Sequence, residues 1–416
     1  MSSIVSLPLD IPKVKVLKTH TNGRGEYIIS VESTVEGTTC RQCGRHISQN
    51  HGYDKWIKLR HLPMLGRAVY IRLRPKRYRC PYCQGGPTTT QRLEWYEAKA
   101  TTTKAYQEHL LLQLVNSTIE DVSQKEGIGY DTVVGVLERR IQSQVDWQAY
   151  DEMPVLGIDE IARRKGRSDY LALITSQQRD GRVAVLAVLP DRKKATVKAF
   201  LQTIPRHLRT TIQAICIDMW EGFANAAKEA LGAAVVIVVD RYHVAKNYRQ
   251  CADKLRQQVG KELKETLPEA EYKQLKGVMW AFRKNRADLN DAEQALLERL
   301  FAHSPTLEKA YQLREDLTAI FASPLTKAEA KAEIQGWRQR VSASGLRCYD
   351  SFLTTLDNWL EEITNYFHDR LTSGFVEGLN NKVKTLKRRC YGLLNVGHFF
   401  QRLYLDLEGY RLFAHA

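Results

Sequence analysis

The spacing of apolar residues divides the chain before any single residue is considered. In residues 1–35, YIISVESTV alternates apolar with polar positions, a two-residue period that predicts one or two strands of an amino-terminal sheet. WIKLRHL and AVYIRLR repeat that pattern further on. From Thr101 to Trp147 the period becomes helical: AYQEHLLLQLV, then TIEDVSQKEG ending at Gly127, then YDTVVGVLERRIQSQV, capped near Asp131. After a linker at Trp147–Met153 the texture changes again. PVLGIDEI, DYLALITS and RVAVLAVLP predict three strands separated by RRKGRS and QQRDG, and Arg179-Asp180-Gly181 marks a hairpin because Asp-Gly tolerates positive φ. Then come KKATVKAFLQTI (helix), TIQAICIDM (strand), WEGFANAAKEAL (helix), AAVVIVVD (strand) and a helix from Tyr242. Residues 248 to 365 hold almost no strand pattern and many amphipathic segments such as DKLRQQVGKELKETL.

This order predicts a multidomain α+β chain. Residues 1–95 form an amino-terminal module and 96–147 a helix-turn-helix. Three antiparallel-type strands followed by alternating helix and strand is the order of the ribonuclease H-like α/β fold, here at 154–247, interrupted by an all-helical insertion at 248–365 and completed by a closing helix and tail at 366–416. A doubly wound nucleotide-binding fold needs a glycine-rich turn after its first strand, and GIDEIARRKG has none.

Composition narrows the class. Apolar residues make up 43% and charged residues 26%, as in a globular protein, and the longest apolar run, Leu231–Val239, is far too short for a membrane span. The first residues, MSSIVSLPLDIPKVKV, lack a basic segment followed by an apolar one, which predicts a cytoplasmic protein without membrane contact. A net charge of +15 points to a polyanion as partner. The charge is concentrated: Lys55–Leu93 contains ten Lys or Arg and no acid, with Arg72, Arg74, Lys76, Arg77 and Arg79 as expected DNA contacts. Tyr130, Thr132, Arg139 and Arg140 on the last helix of the helix-turn-helix, and Lys387 and Arg388 near the carboxyl end, extend the set.

Two constellations carry chemistry. Cys40-Arg-Gln-Cys43 and Cys80-Pro-Tyr-Cys83 are CxxC pairs whose thiolates can close a tetrahedral structural Zn²⁺ site, a better reading than disulfides for a cytoplasmic chain. Separately, Asp159 and Asp218 each end a short apolar strand, and Glu377 lies on a basic helix where Asn381 and Lys384 follow at i+4 and i+7. Converging carboxylates raise one another's pKa and become stable around Mg²⁺ or Mn²⁺, the arrangement of two-metal phosphoryl transfer. Lys384 would grip a phosphate. Asp218 can also be read as a helix cap and Asp159 as the start of a turn, and Asp240 competes with Glu377 as third ligand.

GIDEIARRKG, CIDMWEGF, VVDRYHVAK and SGFVEGLNNKVKTLKRRCYG, in this order behind the CxxC pairs, resemble the blocks of DDE transposases of the bacterial ISL-three insertion-sequence family over nearly the whole chain. The resemblance implies that Asp159, Asp218 and Glu377 are the catalytic triad and that Asp240-Arg-Tyr-His243 is a (C/D)xxH signature beside the site. It also implies hydrolysis at the element ends, attack of the freed 3′-hydroxyl on target DNA, terminal inverted repeats read by the zinc and helix-turn-helix modules, a dimer or larger assembly, and a nucleoid-associated location. Trp280, Trp337 and Trp359 are the insertion's aromatics available to a flipped base. A DNA-binding regulator with a dead nuclease-like fold would not need all three acids, and a nuclease of the same fold would lack strand transfer.

Overall fold

The computed structural model describes residues 8–162, 170–371, 374–390 and 395–414, with side chains from Gly378 onward in the third segment. The RRKGRS connection and the Glu377 side chain lie outside the described residues. The chain forms two compact units, Met1–Ile141 with Tyr404–Ala416, and Gln142–Leu403.

The first unit begins with β1 (Val14–Thr21), β2 (Tyr27–Ser33), β3 (Thr38–Thr39), β4 (His46–Ile47), β5 (Gln49–Tyr53), β6 (Ile57–Met64), β7 (Arg67–Leu73), β8 (Lys76–Arg79) and β9 (Thr88–Thr90). One sheet runs β1-β2-β7-β6, with β2 and β7 parallel and the other pairs antiparallel. Alternation sorts its faces: Val69, Ile71 and Leu73 are fully buried, while Arg72 between them is exposed. The β6–β7 turn places Leu65 and Gly66 at φ 49° and 72°, the left-handed pair that a tight hairpin requires. A smaller sheet, β5-β8-β9, and the β3–β4 pair carry the cysteines.

Three helices follow: α1 (Lys104–Leu114), α2 (Ile119–Glu126) and α3 (Tyr130–Arg140). Thr103 and Thr118 cap the first two through their hydroxyls. Gly127, at φ 61° and ψ 41°, ends α2 in the left-handed conformation that only glycine adopts without strain. The third helix is capped by Gly129 rather than near Asp131, which lies in its first turn. Tyr106, Leu110, Leu114, Val122, Val133 and Val136 fill the core between the helices. Glu126 ties α2 to α1 by accepting from the Tyr106 hydroxyl and pairing with His109, both at 2.8 Å.

The second unit contains β10 (Val155–Ala162), β11 (Tyr170–Gln177), β12 (Val183–Leu189), α4 (Lys194–Leu201), α5 (Arg206–Arg209), β13 (Ala214–Ile217), α6 (Glu221–Leu231) and β14 (Val236–Val239). Sheet order is β12-β11-β10-β13-β14: the first three strands are an antiparallel meander, and β13 and β14 run parallel to β10. Gly181 turns the β11–β12 hairpin at φ 82°. Ile215 and Val238 on the parallel strands are buried because α helices cover the sheet.

From Asp240 the chain is helical: α7 (Arg241–Thr266), α8 (Glu269–Gln274), α9 (Val278–Arg283), α10 (Asp291–His303), α11 (Pro305–Ala322), α12 (Lys327–Ala343), α13 (Asp350–Asn358), α14 (Leu360–Thr364), α15 (Tyr366–Asp369), α16 (Gly374–Arg389) and α17 (Val396–Phe413). The sheet and helices α4 to α15 share one continuous core, from Leu156 and Ile217 through Val244 to Trp337 and Phe352. Tyr248 of α7 stacks on Tyr349 at 4.7 Å and meets Trp337 and Phe352 edge-on, fixing the long helix in its amino-terminal third.

Candidate active site and metal centre

Strand register brings three acids to one level. Ile158 pairs with Ile217 and Ile217 with Val239, so Asp159 on β10 and the residues that directly follow β13 and β14, Asp218 and Asp240, come at one level of three parallel strands. Their surroundings differ. Asp159 accepts from the Glu160 amide at 2.7 Å and from the Asn380 side chain of α16, which packs on β10. Asp218 has a buried Oδ1 with no hydrogen-bond partner. Burial, then the charges of Asp159 and Glu160, push its carboxyl up to about 7, while Arg192 and Lys246 pull the other way. Asp240 is buried and caps α7 by accepting from the Tyr242 amide at 3.0 Å. His243, half-buried in the first turn of α7, meets the Tyr242 ring edge-on at 5.5 Å.

Adjacent oxygen donors, one of them buried and unpartnered, fit a hard divalent cation and are costly without one. The helix position of Glu377 is one turn before Asn380 on α16, so the backbone brings it to the side of the helix that carries the Asp159 contact. Sequence spacing nominated Asn381, which is exposed, whereas Asn380 reaches Asp159. Positions i+3 and i+4 both share a face with Glu377, and the pattern has no signal to choose between them. Lys384 is exposed. Two further groups went unnoticed in the sequence: Lys246, and Arg192, which pairs with Glu160 and lies over Tyr170 at 4.5 Å and Trp220 at 4.3 Å.

Among the described residues, Cys40, Cys43, Cys80 and Cys83 are the only group of three or more donors close enough to share one ion, with all four sulfurs within 4.8 Å. Cys40 follows β3 and Cys80 follows β8, so two short turns present the thiols to each other. The amides of Cys43 and Gln42 pull the Cys40 thiol down to about 6. A four-sulfur set of this kind is a closed structural zinc site.

The expected DNA contacts divide into free and occupied groups. Arg72 lies over Trp56 at 4.4 Å and Arg74 over Tyr53 at 5.5 Å, four exposed side chains that make a basic, aromatic surface. Arg79 and Arg388 are exposed, Lys76 pairs with Glu36 at 3.6 Å, and Arg77 donates to Thr88. On α3, Tyr130 is exposed, Thr132 half-buried, and Arg139 pairs with Glu97 at 3.8 Å. Two more are engaged with distant residues: Arg140 bonds Glu108 of α1 at 2.6 Å, and the Lys387 ammonium donates to the Ala162 carbonyl of β10. Both pairings are between distant residues and leave no mark in local sequence.

A family model described as "Transposase", of the ISL-three type, matches residues 156–403. The chain belongs to the ISL-three family of transposases. A second model, described as the zinc-finger of transposase IS204/IS1001/IS1096/IS1165, matches residues 36–83 of this transposase and so contains all four cysteines. Over 382 residues, 92% of this chain and 91% of the relative, the transposase is 26% identical to that of insertion sequence IS1001 from Bordetella parapertussis. A transposase for IS1557 from Mycobacterium tuberculosis is 24% identical over 33% of this chain and 31% of its own. The Drosophila P element transposase strand transfer complex aligns with a TM-score of 0.40 at 12% identity, covering 75% of this chain and 93% of that one, too low a score to inform the fold.

Within the transposase, Trp337 is fully buried with its indole donating to the Leu313 carbonyl at 2.8 Å, and Trp359 is also buried. Trp280 is 63% exposed. No helix among the described residues is long and apolar enough to cross a membrane.

Proposed function

We propose that Asp159, Asp218 and Glu377 are the catalytic triad of this transposase, on a ribonuclease H-like core, and hold Mg²⁺ or Mn²⁺. The observation that carries this reading is that Asp159 and Asp218 each directly follow the paired residues Ile158 and Ile217 of adjacent parallel strands, with a buried Asp218 oxygen left unpartnered. Divalent ions bound there supply Lewis-acid stabilisation of the phosphate and activation of the attacking oxygen. The chain's own residues set the frame. Asn380 and the Glu160 amide orient the Asp159 carboxylate, and the Glu160–Arg192 pair neutralises the charge beside it. Water attacks the phosphorus at the element end and the bond to the 3′ oxygen breaks. The freed 3′-hydroxyl then attacks the phosphorus of a target phosphodiester, joining the element end to the target's 5′ phosphate as the bond to the target's 3′ oxygen breaks and that oxygen leaves as a hydroxyl.

The three-helix unit is read as a helix-turn-helix, supported by the left-handed Gly127 turn and the exposed Tyr130 at the start of α3. With the zinc module it recognises the terminal inverted repeats as double-stranded DNA, and two ends are held in a dimer or larger assembly at the nucleoid. The decisive experiment is strand transfer with Mg²⁺ or Mn²⁺ on DNA carrying the flanking repeats, comparing wild type with Glu377→Gln. Joined products that vanish in the variant, with repeat binding retained, support the triad. Equal activity removes Glu377 and moves the third ligand to Asp240. Repeat binding without joining in either protein counts against the catalytic reading.

A further inference from the structure

Within the second unit, a cleft of about 610 Å³ lies between α7, the end of α9 with the loop after it, and α11. That is the size of sites that take nucleotide-sized ligands. Its lining is cationic: Arg241, Arg249, Arg283, Lys284 and Arg314 contribute to it, against Asp288 as the only acid. Nearby acids occupy part of this charge, since Arg283 pairs with Asp253 and Lys284 with Glu293. Arg241 and Arg249 have no acidic partner among the described residues; both are exposed, and Arg249 donates to the Ala245 carbonyl of its own helix at 3.3 Å. They stand eight residues apart on α7, roughly 12 Å along one face, enough for more than one nucleotide.

The floor is built for an amphiphilic ligand. Tyr248 and Phe321 supply apolar surface, and Arg314, only 7% exposed, donates to the Phe282 carbonyl at 2.5 Å and to Glu315 at 2.7 Å while its Nε has no partner. Arg314 also donates to the Lys284 carbonyl, so its terminal nitrogens are engaged and the groups left to meet a phosphate are Arg249 and Arg241, the latter resting over the Tyr366 ring at 6.0 Å. The cleft also begins at Arg241, the residue after Asp240, and therefore at the edge of the acid cluster.

We infer that this cleft binds a single-stranded DNA segment through its phosphodiesters. The assignment rests on the transposase reading for the source of the strand, which leaves the duplex next to the reacting phosphate. The shared chemistry, a nucleotide phosphate above an apolar floor, would also admit a free nucleotide, so the test separates the two.

Full-length, zinc-loaded protein is titrated against a fluorescein-labelled ten-nucleotide single strand in buffer free of magnesium and manganese, with anisotropy as readout. Wild type is compared with Arg249→Glu and Arg249→Lys, after circular dichroism and zinc content show all three to be folded. Arg249→Glu weakens strand binding about tenfold and lowers the slope of log K against log salt by about 0.7 for each phosphate left unneutralised, while Arg249→Lys keeps most of both. Duplex carrying the inverted repeat binds all three proteins alike. Equal strand binding in wild type and Arg249→Glu overturns the assignment, as does an equal loss for strand and duplex, which describes a general basic surface. Ribonucleoside triphosphates that raise the melting temperature of wild type but not of Arg249→Glu, with strand binding unchanged, give the cleft to a free nucleotide and overturn the strand. Because neither magnesium nor manganese is present, these outcomes are independent of the acids, whose failure is read separately as absent strand transfer with strand binding intact.

Discussion

Replacing Asp218 with Asn tests whether the sheet holds an ionisable group at a cost that a cation removes. The folded protein moves this carboxyl from 3.8 to about 7, chiefly by burial and then by the charge of Asp159. At about 1.36 kcal/mol per pH unit the penalty for the ionised form has a ceiling of ~4 kcal/mol. The sign follows from proton linkage: between those two values the native state holds the proton and the unfolded chain has lost it, so this group's contribution to stability is full below 3.8, falls as pH rises to about 7, and is level above. Asn cannot ionise, although its buried amide forfeits ~1–3 kcal/mol if it finds no partner. Urea unfolding of both proteins in buffer free of magnesium and manganese should therefore show wild type losing ~2–3 kcal/mol relative to Asp218→Asn between pH 5 and pH 8. At pH 8, millimolar Mg²⁺ should stabilise wild type and leave the variant unmoved. Parallel pH profiles for the two proteins would refute the reasoning, since Asp218 would then carry no buried charge.

Three other expectations follow from the same geometry. Mass spectrometry of native protein should find one zinc per chain, and Cys80→Ser should abolish it and open the β5-β8-β9 region to proteolysis, because structural zinc contributes ~10–16 kcal/mol to folding in comparable sites; a protease-resistant zinc-free module would contradict this. Asn380→Ala should lower strand transfer ~10–100-fold by releasing the Asp159 carboxylate, and Asn381→Ala should cost less; the reverse order would reassign the orienting residue. Trp337→Ala should destabilise the second unit by ~3–5 kcal/mol, read by thermal unfolding, since the side chain is fully buried and its indole is bonded to Leu313. A loss confined to activity would instead give Trp337 a part in the chemistry.

What the sequence made legible was local. The apolar runs before Asp159, Asp218 and Asp240 are β-branched and short, so their ends were visible as places where a strand stops at an acid. The CxxC pairs and the Asp-Gly hairpin are likewise defined within a few residues. Their lateral alignment was not legible, because parallel register is set by strands joined through whole helices. The same limit hid the Arg140–Glu108 and Lys387–Ala162 contacts. Asn380 and Asn381 are neighbours of identical chemistry, and only the rotation of α16 against β10 separates them.

The continuous core running from the sheet into the helices bears on how such a chain can change over generations. Val244 and Tyr248 leave the last strand on α7 within the same core, and Tyr248 packs directly against Trp337, Tyr349 and Phe352, so the helical segment has no seam at which it could be lifted out. A graft of this segment from a distant relative would have to bring its half of the aromatic cluster and meet the other half on the recipient's α7. Drift in the two halves is therefore correlated, and recombination between diverged copies of the element is fertile only where the breakpoints spare this region whole.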